Sequence, residues 1–109
     1  MAHVQDDEAF EILGPAVGAA IEQAPTARFS TKGLIDLMRA SPDGETAYQS
    51  AMSSILDESG SEHMARMVIH GQVIPGLLRR SQRVKFAGFI HGKPSEDDGF
   101  AVPSWWRKV

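Results

Sequence analysis

Apolar residues recur at three- and four-residue spacing up to about residue 81, and from residue 84 onward they alternate with polar ones. The first pattern predicts helices and the second predicts strands. In residues 6–23, Phe10, Leu13, Val17 and Ile21 share one helical face, and acids at the start suit the helix dipole. Gly14-Pro15 interrupts this stretch, which predicts either a kink or, as the favoured reading, a short first helix and a second that opens on Pro15. After Pro25, residues 27–30 are long enough for a single edge strand. Ser30 or Thr31 then caps a helix carrying Leu34, Ile35 and Met38. Ser41-Pro42-Asp43-Gly44 predicts a turn, followed by a helix over 46–57 with Tyr48, Met52, Ile55 and Leu56 inward. Ser59-Gly60-Ser61 breaks it, and Ser59 with Glu62 has capping-box spacing for a helix bearing Met64, Met67 and Val68. Gly71 is expected to end that helix. Residues 73–81 form a further short one, with Pro75 in its first turn and Arg79 and Arg80 in its last.

The alternating part begins at Val84. Val84, Phe86 and Ile90 fall on one face, and Gly88, which breaks it, predicts a bulge or a close backbone approach. Residues 91–99 hold Gly92, Pro94, Ser95, Asp97, Asp98 and Gly99, all turn formers. Phe100-Ala101-Val102 resumes a strand that Pro103 must end or place on an edge, because proline has no N–H to donate. Trp105 and Trp106 would point to opposite faces of an extended backbone, so one is expected inside and the other outside. The pattern therefore predicts an α+β fold: four to five short helices followed by a C-terminal β-hairpin. Its expected core holds Leu34, Ile35, Ile55, Leu56, Leu77, Leu78, Val84 and Phe86. Met52, Met64 and Met67 read as core rather than as an adaptable partner groove. An acidic segment, 1–14, precedes a single domain over 15–109.

Composition changes this picture little. At 109 residues the chain has room for one core. The absence of cysteine excludes disulfides, and no apolar run approaches a membrane span. Asp6, Asp7 and Glu8 stand where a signal peptide carries positive charge, so no targeting segment and a cytoplasmic location are expected. Charge is more informative. The net charge is −3, but residues 1–60 carry three basic residues against ten acidic ones, and residues 61–109 carry eight against four. No acid lies between His63 and Ser95. Such a split suits a polyanionic partner or a self-complementary surface, and equally a solvated basic face.

Candidate chemistry is sparse. His63 and His70 are seven apart, wider than the usual zinc-ligand spacing, and there is no HExxH. No Ser, His and acid grouping has the local context of a nucleophilic site, and no Gly-rich loop with a lysine opens a helix. Asp97-Asp98 sits among turn residues and reads as solvated. No enzyme activity, metal or cofactor is expected. Arg79, Arg80, Arg83, Lys85 and Lys93 remain as candidate nucleic-acid contacts, against the alternative of a helix end and strand edge kept unpaired by charge.

Leu77-Leu78-Arg79-Arg80-Ser81-Gln82-Arg83-Val84-Lys85 resembles the passage from recognition helix into wing in the winged-helix family. Phe100-Ala101-Val102 with Trp105 looks like the returning strand, and the element order over 15–106 is similar to that family's. The resemblance implies a small double-stranded-DNA-binding regulator, with the basic helix at about 73–81 in a major groove and the wing on the adjacent backbone; since a single small module binds weakly, a homodimer is expected. Arg79 and Arg80 would then meet phosphate or guanine edges, and Arg83 and Lys85 the backbone at the wing root. The other reading keeps the scaffold without DNA. It is a protein-binding module or inhibitor contacting its partner through the acidic half or through Trp105 or Trp106.

Overall fold

The computed structural model describes residues 4–91 and 103–109, so the expected turn at 92–99, Lys93 and the strand at 100–102 lie outside the described residues. Pro15 sits inside the first helix, α1 (Val4–Gln23), and does not start a second one. Proline deprives the carbonyl of Glu11 of its intrahelical donor. Both residues lie on the exposed side, where solvent satisfies that oxygen. Ala9 and Leu13 before the proline and Val17, Ala20 and Ile21 after it are all buried in one core, and this shared burial carries the helix through.

β1 (Arg28–Ser30) follows, as the short extended stretch suggests, and Ser30 caps α2 (Thr31–Ala40) by accepting from the Gly33 N–H. The segment 41–44 is not a free turn but the first turn of α3 (Pro42–Ser59). Ser41 ends one helix and caps the next: its Oγ donates to the Met38 carbonyl at 3.2 Å and accepts from the Gly44 N–H at 3.0 Å. Gly44 is required here, since a Cβ would stand 1.9 Å from the Met38 carbonyl oxygen. Pro42 takes the first helical position, where its missing N–H does no harm.

Gly60, with left-handed φ, ends α3, and Ser61, not Ser59, caps α4 (Glu62–Val68). Gly71 does not stop the chain's helical course. α4 runs through a π-helical turn (Ile69–Val73) into α5 (Ile74–Arg80) without leaving helical backbone angles, and the Ile74 N–H reaches back five residues to the Ile69 carbonyl. The widened turn lies just before Pro75, whose ring would otherwise press on the carbonyl four residues earlier. Ile69, Val73, Ile74 and Leu78 are all buried along this course.

β2 (Val84–Phe89) and β3 (Ser104–Lys108) close a three-stranded antiparallel sheet in the order β1-β3-β2. The returning strand thus starts after Pro103 and contains both tryptophans. The ladder shifts register between Phe86 and Phe89, where Gly88 adopts a φ of 109°, the bulge expected at that glycine. Phe29 and Trp106 face each other across β1 and β3 and enter the helical core. Trp106 is 2% exposed and its Nε1 donates to Thr31 Oγ1 at 2.8 Å.

Five of the expected core residues, Leu34, Ile35, Ile55, Leu78 and Val84, are buried, and Leu77 is partly so. Leu56 and Phe86 are exposed, at 38% and 49%. Leu56 lies one step round α3 from the face on which Tyr48, Ala51, Met52 and Ile55 are buried, and Phe86 faces the helices where Gly71 and Pro75 offer little to cover it. Met52 is buried as expected, whereas Met64 and Met67 lie at the surface. No described helix is long and apolar enough to cross a membrane.

Candidate nucleic-acid interface

The sheet has two unlike faces, because strand alternation sends successive side chains to opposite sides. Phe29, Trp106 and Phe86 point toward the helices. Arg28, Arg107 and Lys85 point the other way, and the ladder register puts them in one line: Arg28 opposite Arg107, and Arg107 opposite Lys85. All three are exposed. Among the described residues no acidic side chain comes within ion-pair distance of any of them. Trp105 stands on the same face, half-buried, with the Arg28 guanidinium 4.3 Å from its ring centre. Such stacking fixes the guanidinium plane while leaving N–H groups at its edge.

Like charges directly opposite each other in a ladder weaken it. Arg107 has such a neighbour on both sides. Among the described residues, this face of the sheet is therefore a strip of positive charge without an acidic partner, with an aromatic ring in it.

The residues singled out from sequence do not gather on this strip. Lys85 belongs to it. Arg79 is exposed at the end of α5 but lies on the opposite side of the sheet, beside Phe86 and Phe89. Arg80 turns back onto α1, its guanidinium 4.2 Å from the Phe10 ring centre. Arg83 is committed to α1 as well: its Nη2 donates to Glu22 Oε1 at 2.7 Å and its Nη1 to the Gly18 carbonyl at 3.4 Å. Of the two candidate tryptophans, Trp106 is 2% exposed and reaches the surface only where it lines a cleft beside Phe86 and Phe89, and Trp105 is half-buried on the other face.

Sequence reasoning missed Arg28 and Arg107. The available signal was parity: if residues 27–30 and 104–108 are strands, each arginine lies two residues from a position that shares its face. Only the pairing of β1 with β3 joins them into one row.

The histidines differ from each other despite their spacing. His63 is exposed, while His70, in the π-helical turn, is buried and hydrogen-bonded through Nε2 to the Tyr48 hydroxyl at 2.6 Å. The far face of the Tyr48 ring carries Arg39, whose guanidinium is 4.1 Å from the ring centre and forms a two-point bond to Glu45. Hydrogen bonds from Arg39, and then from Gln49, hold the Glu45 carboxyl at about 2. Among the described residues no group of three or more His, Cys, Asp or Glu is placed to hold a metal ion.

No protein-family model matches the chain, and no curated protein or solved structure compared with it does either.

Proposed function

We propose that the chain is a small, non-enzymatic DNA-binding regulator on a winged-helix-like scaffold, and that the uncovered face of the sheet is its contact with the phosphate backbone. The observation that carries this reading is the row Arg28–Arg107–Lys85. With strands ~4.8 Å apart, the backbone positions that carry the three cations fall within about 10 Å. Gathering them there opposes folding, and a polyanion reverses that penalty by supplying a counter-charge that no described acidic side chain provides. Trp105 and its stacked arginine add a flat surface beside the row that suits a sugar–phosphate edge or an unstacked base.

The scaffold supports the same reading. A helix, a short strand, further helices and a basic helix running directly into two antiparallel strands, with sheet order β1-β3-β2, is similar to the winged-helix arrangement. The DNA contact proposed here differs from the one the resemblance implies. Most of α5 is buried, and its exposed cations are confined to its last turn, so the helix offers little to a groove. The sheet supplies the charge.

Fluorescence anisotropy with a labelled random-sequence duplex tests this. The wild-type chain should bind at low salt, and a chain with Arg28→Ala, Lys85→Ala and Arg107→Ala should not. Absence of wild-type binding at low salt, where electrostatic attraction is strongest, would overturn the proposal.

A further inference from the structure

On the opposite side of the sheet from the cation row, an open cleft of about 350 Å³ lies between the helices and β2. Its shape follows from small side chains. Gly71 and Pro75 on one wall and Ser104 below leave a trench whose floor is the edge of Trp106. Phe86 and Phe89 form the other wall. The bulge at Gly88 brings them onto the same side, their rings 5.1 Å apart and edge to face. They are 49% and 57% exposed. Two phenylalanines half in water beside a cleft of this size are unusual for a surface with no partner. Met64 and Met67 extend the apolar helix face beyond Gly71, and both are exposed. Exposed methionines make an apolar surface that adapts to what packs on it.

The charge around the cleft selects the occupant. Among the described residues, Arg79 is the one charged residue that lines it. Every lining residue except Ser104 and Trp106 comes from the acid-free run between His63 and Ser95. A second copy of the chain seated symmetrically would bring Arg79 and its neighbours against their own likeness, which that charge resists. An acidic segment with apolar anchors meets both features at once. From the cleft's shape and charge we infer that it docks an acidic amphipathic segment of another protein, its apolar side chains between Phe86, Phe89 and Trp106 and its carboxylates on Arg79. Helix-in-groove recognition by anchors three and four residues apart fits a trench of this kind. The inference is independent of the nucleic-acid reading, because the two surfaces lie on opposite faces of one sheet.

The test is a nuclear magnetic resonance titration of the full chain with two synthetic peptides. Both carry Leu and Phe anchors at helical spacing; one has Glu and the other Lys between them. The acidic peptide should shift the amides of Gly71, Phe86, Phe89 and Ser104 and the Trp106 indole N–H, and leave Arg28 and Arg107 unmoved. The basic peptide should bind at least tenfold more weakly. Arg79→Glu should invert that preference, and Phe89→Ser, at an exposed position, should abolish binding with the thermal midpoint kept. Equal binding of both peptides, no shifts with either, or shifts confined to the cation row would overturn the inference. So would concentration-dependent shifts at Phe86 and Phe89 without peptide, which would assign the cleft to a second copy.

Discussion

Lys85 of β2 and Arg107 of β3 stand directly opposite each other on the exposed face of the sheet, with Arg28 of β1 on the far side of Arg107. A sheet selected for stability alone would place an acid or a threonine at one of these positions. Lys85→Glu should therefore raise stability by ~0.2–1 kcal/mol while weakening duplex binding. Paired denaturant melts and binding curves check it. A variant that loses stability would show that the row is not under repulsive load.

The buried indole of Trp106 depends on one acceptor. Thr31→Val keeps the shape of the side chain and removes the oxygen that Nε1 uses. Leaving that N–H unsatisfied in the core should cost about 1–3 kcal/mol. The check is a denaturant midpoint with unchanged m-value, because the change should leave the extent of unfolding alone.

Burial separates two leucines that the helical pattern treats alike. Leu78→Ala, at a fully buried position, should cost ~2–5 kcal/mol. Leu56→Ala, at a position 38% exposed, should cost well under half of that. Thermal melts that rank the two in the opposite order would contradict the packing described here.

How far such positions were legible depended on how local their causes are. Gly88 was readable as a bulge because a missing side chain within a strand pattern acts where it stands. The edge strand at 28–30 and the end of α3 at Gly60 were readable for similar reasons. Two prolines misled. Pro15 read as a kink or a boundary and Pro42 as part of a turn, yet Pro15 lies inside α1, because burial on both sides outweighs one lost hydrogen bond, and Pro42 opens α3. Pro75 stands in the first turn of a helix, as read; the π-helical turn that joins that helix to α4 without a break was not legible. Pro103, read as ending a strand or lying on an edge, directly precedes β3, and the residues before it lie outside the described ones. Alternation placed Trp105 and Trp106 on opposite faces, but which face the helices cover is a tertiary fact. The same holds for Phe86, whose face was right and whose exposure was not, since the helix wall opposite it is made of Gly71 and Pro75. The cation row was out of reach for a stronger reason: Arg28 and Arg107 sit near opposite ends of the chain and meet only through the register of β1 on β3.

Acid should act on this fold partly through Glu45. Its folded-state carboxyl sits at about 2, below the ordinary range, because Arg39 and Gln49 donate to it. A lowered value means that its contribution to stability is present above the ordinary carboxylate range and is lost as pH falls from there through about 2. Glu45→Gln should make stability fall less steeply over that window. The effect should be modest, since the pair is solvent-screened. A pH series of urea melts on both chains reads it directly, and identical acid profiles would count against the pairing.

The most direct test of the central claim is the slope of log affinity against log salt for duplex DNA. Each phosphate contact contributes about −0.9 to that slope, so removing Arg28, Lys85 and Arg107 together should flatten it by about 2.7. Removing Arg80 and Arg83, which are turned onto α1, should leave the slope nearly unchanged. A wild-type slope that survives the first triple substitution and collapses with the second pair would contradict the account and return the contact to the basic helix end.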